Sequence, residues 1–387
     1  MTFKCGYLSG GLWIGNNTKS VFPCCYTDNK IYRDKINVVH DDDILNNPLL
    51  KEMRKTAIEG KPHLLCQGCL DSEKNHNFSP RLNSINPKSS KVFKNTGDVK
   101  IEVTPTDIER LYISLGNVCN YKCIMCSEQQ SHLIAKEKTP NIASLQLNNL
   151  AFNTLLSDIS HMENLKSINI TGGEPFLNKT KFLEVLEKLP KHVIIEPVHT
   201  NGSIYDTEIL DKLSKFKHVD ICFSFDGFGK GFEYQRPNSN WDTCLNNLQK
   251  MHFNYQKYYD NIILTNAYTA TAFTIDLIPD FLQNYRNYFH TMKFYVVKGP
   301  VEWQINLLTP EYLFKILDQI EYFLHREKFK DYFKELSKIK YEIQQAIISD
   351  VDQKVIDKFW NQVQYMKEYR NVDIHDMVPH LVKHFKR

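Results

Sequence analysis

The feature that most limits what this chain can fold into is the clustering of its ten cysteines. Three lie in one short segment, at Cys119, Cys123 and Cys126, and another pair, Cys66 and Cys69, is separated by two residues. Cysteines at this spacing make poor disulfide partners but good ligands of one metal centre. The N-terminal stretch carries several glycines and lacks the cleavage site of a signal peptide. We therefore expect reduced, metal-binding thiols in a cytoplasmic protein.

The composition argues against several other classes of protein. Hydrophobic residues make up 42% of the 387-residue chain and aromatic residues 12%, enough to bury a core, which excludes a disordered chain. Lys and Arg number 48 against 45 Asp and Glu, a balance that argues against a nucleic-acid partner. The chain contains no run of about 18 apolar residues, so we expect no membrane-spanning helix and no membrane partner.

The sequence divides into three regions, which we predict to be domains: residues 1–95, 108–300 and 306–387. The first holds five cysteines and a predicted helix at Pro48–Ile58, and a polar connector follows over residues 83–98. In the second, the predicted strands are 110–115, 167–171, 193–199, 219–225, 261–269 and 293–297. The predicted helices between them are 150–161, 180–189, 206–215, 241–252 and 276–285. The third is predicted to be helical, with an apolar stripe from Leu313 to Leu324.

The alternation of strand and helix in the middle region predicts an α/β fold, in which crossover helices join parallel strands. The predicted strand 219–225 alternates apolar residues with Asp220, Cys222 and Ser224. We expect its apolar face to pack on helices and its polar face to line a barrel interior. Barrel enzymes keep their sites at the C-terminal ends of the strands, so functional residues are expected there.

A loop with the spacing C-x3-C-x2-C, at Cys119, Cys123 and Cys126, follows the first predicted strand. Iron–sulfur clusters are normally held by four thiolates, so three would leave one iron of a four-iron cluster without a protein ligand. Such an open position is where chemistry takes place at a metal. The alternative is a zinc site completed by a distant His or Cys, and the spacing alone fits both.

A second motif, Gly172-Gly173-Glu174-Pro175, stands at the end of the next predicted strand. Glycines let the backbone approach a ligand closely, and a glutamate accepts hydrogen bonds from a cationic group. One strand–helix unit after the cysteine loop, this motif resembles that of the radical S-adenosylmethionine (radical SAM) superfamily. The resemblance covers most of residues 108–300.

The resemblance implies a partial (βα)6 TIM-like barrel with a small N-terminal Cys-rich metal-binding domain and a C-terminal helical segment. It implies that Cys119, Cys123 and Cys126 bind a 4Fe-4S cluster, whose unique iron is chelated by S-adenosylmethionine (SAM). Further cofactor-binding positions follow from the family's strand-end motifs: Met125, Gly172, Gly173, Glu174, Pro175, Thr200, Asn201, Ser224, Asp226 and Arg236.

Individual roles come from the same resemblance. Met125 would pack near the cluster and the adenine, and Gly172–Glu174 would contact the SAM ammonium group. Ser224 would reach the ribose or the carboxylate, and Arg236 would pair with the carboxylate. An ordinary turn or surface role is the alternative for each of the later strand-end residues. No catalytic acid–base pair is predicted, although His199, Glu196 and Lys298 stand near strand ends.

The N-terminal cysteines resemble the pattern of the SPASM or twitch domain, which carries an auxiliary iron–sulfur cluster and usually follows the barrel. Cys5, Cys24, Cys66 and Cys69 form the favoured ligand set, with Cys25 as a substitute for Cys24. Four thiolates would close the coordination shell of one further cluster, and a structural zinc site on the same sulfurs is the alternative.

The implied reaction is the reductive cleavage of SAM to a 5′-deoxyadenosyl radical, which removes a hydrogen atom from a substrate. An external electron donor of the flavodoxin or ferredoxin type is implied as a partner. A peptide or protein substrate is favoured, and oxidation of a small sugar or alcohol is the alternative. A metal-stabilised binding protein without turnover is a hypothesis of a different class, and it predicts zinc in place of iron.

Overall fold

The structure, a computed structural model, describes residues 3–15, 21–24, 26–27, 43–76, 79–85, 99–141 and 149–387. Within these residues, eight strands form one mostly parallel sheet in the order β2-β1-β3-β4-β5-β6-β7-β8. The strands are β1 Gly11–Ile14, β2 Val21–Phe22, β3 Arg110–Ser114, β4 Ser167–Thr171, β5 Ile194–Thr200, β6 His218–Phe223, β7 Ile262–Ala270 and β8 Thr291–Val296. The prediction of an α/β fold with a parallel sheet is confirmed.

The α-helices of the described residues are distributed from residue 6 to residue 377. They are α1 Gly6–Gly10, α2 Pro48–Ile58, α3 Gln67–His76, α4 Pro80–Ile85, α5 His132–Lys138, α6 Asn149–Ser160, α7 Lys179–Lys188, α8 Thr207–Leu213, α9 Gly229–Gln235, α10 Trp241–Met251, α11 Ile278–Tyr285, α12 Pro310–Leu324, α13 Phe333–Ile348, α14 Gln353–Arg370 and α15 Ile374–Met377. Among the described residues, no helix has both the length and the hydropathy needed to cross a bilayer.

The six strands predicted in the middle region correspond to β3–β8, each displaced by two residues or fewer at either end. In β3, Leu111 and Ile113 are fully buried, whereas Arg110 and Tyr112 on the opposite face are partly exposed. The apolar residues of the predicted strand 219–225 are likewise fully buried. This period of two is the property that the sequence pattern detected.

Capping side chains define the boundaries of several helices. Asn47 accepts a hydrogen bond from the Leu50 amide and Pro48 occupies the first turn, so α2 begins where it was predicted. In the C-terminal region, Asp352 accepts from the Lys354 amide at the start of α14. The region 306–387, which was predicted to be helical, contains α13 and α14, and these are separated at residues 349–352.

Two strands of the N-terminal region were not predicted. β1 pairs parallel to β3, with Gly11 opposite Arg110 and Ile14 opposite Ile113, and β2 pairs antiparallel to β1. The N-terminal region therefore extends the same sheet, although its status as a separate domain over residues 1–95 stays a prediction. Most of the predicted connector, from residue 86 to 98, lies outside the described residues.

The chain divides into two compact units that are discontinuous in sequence. The first contains residues 1–119, 128–198 and 206–220, and the second contains residues 120–127, 199–205 and 221–387. In the first unit, β1, β3, β4 and β5 are parallel neighbours, with a register shift between β4 and β5. In the second, β7 and β8 are parallel neighbours.

Candidate metal and cofactor site

The first half of the cysteine loop is anchored within the first unit. The Cys119 amide donates to Nδ1 of His132 at 3.1 Å, and the His132 amide donates to the Asn117 carbonyl at 2.8 Å. Burial, and then the charge of Lys136, lower the pKa of His132, so its ring is neutral and its Nδ1 is free of a proton when it accepts this bond. His132, at the start of α5, thus orients Cys119, a role that the sequence motifs did not indicate.

The Gly172–Gly173 pair lies against the backbone of this loop. The Gly173 amide donates to the Gly116 carbonyl and the Glu174 amide to the Val118 carbonyl, each at 2.8 Å. A Cβ on Gly173 would stand 2.3 Å from the Val118 carbonyl oxygen, and Gly172 has a φ of +144°. Two glycines are therefore required for the end of β4 to approach the cysteine loop.

Glu174 is almost completely buried, with 1% of its surface exposed. Its carboxylate accepts from the Phe176 amide at 3.2 Å and caps the short 3₁₀ helix that Pro175 begins. The predicted contact between Gly172–Glu174 and the SAM ammonium group stays a prediction, and the structure adds a packing role for all four residues of the motif.

The second half of the cysteine loop belongs to the second unit and is held along residues 235–237. The Lys122 amide donates to the Pro237 carbonyl and the Ile124 amide to the Gln235 carbonyl, both at 3.0 Å. The Cys126 amide donates to the Cys123 carbonyl at 3.1 Å, which closes a turn between two of the predicted ligands. Backbone bonds on both sides of Cys123 therefore fix its position.

Arg236 joins two predicted site residues within this unit. Its Nε and Nη2 lie 2.7 and 2.5 Å from Oδ2 of Asp226, and its Nη1 lies 3.4 Å from Sγ of Cys123. Asp226 is fully buried, and its Oδ1 accepts from the Thr269 amide at 2.7 Å. A buried cation between a carboxylate and a sulfur favours the thiolate form of that sulfur.

This arrangement shifts the pKa values of Cys123 and Arg236. A hydrogen bond with the Cys126 side chain, and then the charge of Arg236, lower the pKa of Cys123 to about 7 against the effect of burial. Burial lowers the pKa of Arg236, but Asp226 and the sulfurs of Cys123 and Cys126 raise it by more. Arg236 therefore stays cationic, and Cys123 reaches the form that binds metal near neutral pH.

The segment Thr200-Asn201-Gly202 also holds the cysteine loop. Nδ2 of Asn201 donates to Oδ1 of Asn120 at 2.9 Å, and Nδ2 of Asn120 donates to the Ser203 hydroxyl at 3.0 Å. The Thr200 hydroxyl accepts from the Gly202 amide at 3.1 Å. These residues thus form a side-chain bridge to the residue that follows Cys119.

Ser224 and Met125 remain available for a ligand. The Ser224 amide donates to the Thr200 carbonyl at 2.9 Å, which fixes its backbone. Its hydroxyl is partly exposed and makes no hydrogen bond within the described part of the chain. Met125 is also partly exposed. The roles predicted for these two residues stay predictions.

In the N-terminal region, Cys5, Cys24, Cys66 and Cys69 line a single cavity, whose wall also includes Phe3 and Leu65. Cys25 lies outside the described residues. Burial, and then the neighbouring Cys24 sulfur, raise the pKa of Cys5 to about 12. The same two causes raise the pKa of Cys66 to about 12.

Burial also raises the pKa of Cys69. Three thiols that resist ionisation, with Cys24 beside them, are a donor set that a soft cation would neutralise. Arg81 also lines this cavity, and Glu73 fixes its guanidinium through two hydrogen bonds at 2.9 and 2.5 Å. Among the described residues, no three His, Cys, Asp or Glu side chains already have the spacing of a metal site. The chemistry of the cysteines fits a metal, and a bound metal would draw their sulfurs together.

A partly polar face of the sheet in the first unit was missed by the motif analysis. Trp13, Tyr112 and Asn169 are opposite one another on β1, β3 and β4, and the rings of Trp13 and Tyr112 are 5.6 Å apart. Nε1 of Trp13 and Oδ1 of Asn169 are buried without a hydrogen-bond partner among the described residues. Unsatisfied buried polar atoms are costly, so these two atoms are candidates for bonds to a ligand.

The other polar residues named from the sequence have structural partners. Glu196 lies 3.6 Å from Arg110, and Lys298 pairs with Glu342. Burial, and then Lys293, lower the pKa of His199. Cys222 and Cys244 are buried, and Cys244 lies 3.1 Å from the Tyr121 hydroxyl. These contacts favour structural roles and support no acid–base pair.

Part of the chain is similar to known proteins. Residues 113–271, from β3 to just beyond β7, match the family model of the radical SAM superfamily. Over 97 residues the chain is 30% identical to a probable GTP 3′,8-cyclase of Thermococcus kodakarensis (strain ATCC BAA-918 / JCM 12380 / KOD1). That alignment covers 25% of this chain and 28% of the cyclase, so the chain spans less than a third of this curated relative.

Two solved structures are similar to parts of the chain at low TM-score and low identity. Native anSMEcpe with bound AdoMet has a TM-score of 0.41 and 17% identity, over 55% of this chain and 59% of that chain. SuiB of Streptococcus suis bound to S-adenosylmethionine has a TM-score of 0.34 and 14% identity, over 56% of this chain and 44% of that chain.

The parallel sheet, with its cysteine loop after the first strand of the matched region, is an α/β domain. Residues 113–271 match the model of the radical SAM superfamily, and this match, together with the cyclase relative, supports an enzyme. The hypothesis of a binding protein without turnover is therefore not supported.

We predict that Gly173→Ala displaces the cysteine loop, because the new Cβ would stand 2.3 Å from the Val118 carbonyl oxygen. Such a clash with backbone should cost about 1–3 kcal/mol of stability and lower iron binding by the loop. Chemical denaturation and iron analysis measure the two effects. Gly299→Ala is the control, because a Cβ there meets no heavy atom within 4 Å. Equal behaviour of the two variants would contradict the prediction.

We also predict that Cys123 in the metal-free protein is alkylated with a midpoint near pH 7, since its pKa is lowered to about 7. The pKa of Cys66 is raised to about 12, so it should react little below about pH 9. Peptide mapping by mass spectrometry follows both thiols in one sample. Arg236→Met should move the Cys123 midpoint upward, because the neighbouring charge is removed. A wild-type midpoint at or above that of an ordinary thiol would refute the argument.

Proposed function

We propose that this enzyme binds a 4Fe-4S cluster and SAM on its radical SAM domain and removes a hydrogen atom from a peptide or protein substrate. The observation that carries the proposal is the buried Asp226–Arg236 pair, whose guanidinium lies 3.4 Å from Cys123. A fixed cation on this sulfur suits a thiolate ligand, because it offsets the negative charge that thiolate-bound clusters accumulate.

Cys119, Cys123 and Cys126 are the residues that would hold the cluster. When bound, the cluster and SAM supply the radical that removes the hydrogen atom, which is chemistry that no side chain provides. The protein contributes ligands, their orientation and the exclusion of water. His132 orients the Cys119 backbone, and Asn120 is bridged to Asn201, so the loop is organised before any ligand is present.

Arg236 has a different role in this proposal from the one the family resemblance implied. Two of its nitrogens are bonded to Asp226 and a third lies against Cys123, so the guanidinium is mostly occupied. We infer that Arg236 acts on the cysteine ligand more than on the SAM carboxylate. The Ser224 hydroxyl, which is unpartnered among the described residues, is the better candidate for a direct contact with SAM.

The substrate would contact the face of the first unit that carries Trp13, Tyr112 and Asn169. The unsatisfied Oδ1 of Asn169 suits a donor such as a peptide N–H, and the two aromatic rings suit an adjacent apolar group. The auxiliary-type cysteine cavity also supports a peptide or protein, since the domains it resembles often occur in enzymes that modify them. A sugar or alcohol hydroxyl would satisfy Asn169 equally well and is the second candidate.

The four N-terminal cysteines are proposed to hold an auxiliary iron–sulfur cluster within a domain spanning residues 1–95. Their shared cavity and the raised pKa values of Cys5 and Cys66 support a metal there, and four thiolates would leave no open position for substrate. Such a closed centre suits electron transfer. An external reductant of the flavodoxin or ferredoxin type would supply the first electron to the radical SAM domain. Residues 108–300 would form this domain, and the helices of residues 306–387 would follow it in the chain.

We predict that the reconstituted protein converts SAM to 5′-deoxyadenosine in the presence of dithionite, and that Cys123→Ala abolishes this activity. The reason is that the variant removes one of three proposed ligands. Chromatography with mass spectrometry quantifies deoxyadenosine. Cys222→Ala, at a buried cysteine that is not part of the C-x3-C-x2-C motif, should keep full activity. Cleavage that survives Cys123→Ala would overturn the proposed function.

The substrate class is tested by following deuterium in the same assay. Candidate peptides and candidate sugars or alcohols, each deuterated at carbon, are supplied in turn, and transfer of deuterium into deoxyadenosine identifies the substrate. Asn169→Leu should lower transfer from the true substrate while leaving the uncoupled cleavage of SAM unchanged. Transfer from small molecules alone would reject the peptide proposal.

The auxiliary centre predicts the iron content. Two four-iron clusters give about eight iron and eight sulfide per chain, and one gives about four of each. We expect about eight in the reconstituted wild type and about four in Cys66→Ala, with SAM cleavage lowered less than by Cys123→Ala. Iron and sulfide assays, with zinc measured in parallel, decide between the metals. About four iron and one zinc in the wild type would show that the N-terminal site holds zinc.

A further inference from the structure

The segment Tyr369-Arg370-Asn371-Val372-Asp373 has no part in the proposed function so far. α14 ends at Arg370, and Asn371 adopts the left-handed conformation with a φ of 53°. The amides of Asn371 and Val372 both donate to the Met366 carbonyl, which closes the helix end. Arg370 is therefore the last helical residue before a sharp and well-defined stop, and its Cα has little freedom to move.

The side chain of Arg370 reaches the cysteine loop within the second unit. Its Nη1 donates to the Lys122 carbonyl at 2.8 Å and lies 3.5 Å from Sδ of Met366, on its own helix. The guanidinium also stands 5.7 Å from the Tyr365 ring. The acceptor belongs to the peptide bond between Lys122 and Cys123. Arg370 thus holds the carbonyl that immediately precedes a proposed metal ligand.

This bond completes the set that holds the loop on both sides of Cys123. The Lys122 and Ile124 amides donate to the Pro237 and Gln235 carbonyls, each at 3.0 Å. Without Arg370 these two bonds would remain, but the peptide plane between Lys122 and Cys123 would lose its charged donor. Hydrogen bonds from charged donors are stronger than neutral ones, so one such bond can decide the local stability of a short loop.

We propose that Arg370 is a positioning residue. From the C-terminal helical region it holds the cysteine loop by its hydrogen bond to the Lys122 carbonyl and keeps Cys123 in place for metal binding. The inference rests on the proposed function of Cys123 as a cluster ligand. It gives the C-terminal helices a part in the metal site. A guanidinium suits this task because the helix end sets its direction and its charge strengthens the bond to the carbonyl.

The first test uses the metal-free protein. In Arg370→Met, amide hydrogen exchange in a peptide covering residues 119–126 should be about tenfold faster, which corresponds to the loss of one strong hydrogen bond. Arg370→Lys should fall between Arg370→Met and the wild type, since it keeps the charge. Lys367→Met is the matched control: it removes an exposed ion pair with Asp373, one turn earlier on the same helix. Its exchange over residues 119–126 should equal that of the wild type.

The second test uses the reconstituted protein. Arg370→Met should release iron from the loop to a ferrous chelator faster than Lys367→Met does, and should weaken the spectral change that SAM produces in the cluster. Unchanged amide exchange and unchanged iron release in Arg370→Met would overturn the positioning role of Arg370. Exchange that accelerates across α10 and β7 as well would also overturn it, because the role would then be general stability. A wild-type cluster that does not respond to SAM would instead refute the proposed function, so the two failures are distinguishable.

Discussion

The whole arrangement depends on backbone hydrogen bonds that hold a loop with little regular structure of its own. In the first unit, the carbonyls of Gly116 and Val118 accept from the residues after β4. In the second, the amides of Lys122 and Ile124 donate to residues 235–237. Buried backbone groups must find partners, and here the partners come from strand ends and from the turn after α9. Each half of the loop is therefore held by the elements of its own unit.

Charge is the second constraint on the site. A buried thiolate is costly unless a cation compensates it, and Arg236 provides that cation at 3.4 Å from Cys123. Arg236 would itself be costly without the fully buried Asp226. The N-terminal cysteines differ, because burial and their mutual proximity raise the pKa values of Cys5 and Cys66. The loop at Cys123 carries its own compensating charge, whereas the proposed N-terminal site would depend more on a bound metal for it.

Much of the fold was predictable from the sequence because it is locally encoded. The period of two in β3 and β6 and the caps of α2 are properties of neighbouring residues, and these elements were located closely. β1 was missed because it is short and its partner, β3, is distant in sequence. The two motifs that carry the resemblance to the radical SAM superfamily were sufficient to name the domain that residues 113–271 match.

The candidate site was predictable as a set of residues but not as a set of contacts. A close approach of the Gly173 backbone to a ligand was expected. In the structure, Gly173 also lies close to the Val118 carbonyl. His132 at the Cys119 amide and Arg370 at the Lys122 carbonyl carry no motif, since each contact joins residues from different elements. Trp13 and Asn169 face the same way only because β1 joins β3, a pairing that no local pattern reveals.

The parallel pairing of β1 with β3 bears on the order in which the protein matures. A parallel neighbour cannot be supplied by a hairpin, so Gly11–Ile14 has no place in the sheet until Arg110–Ser114 has left the ribosome. Cys5, which immediately precedes α1 and β1, would have only its contacts within the N-terminal region throughout that interval. The proposed N-terminal site would thus gain its neighbouring strand pairing only after residue 114 has been made, although its cysteines precede the C-x3-C-x2-C loop in the chain.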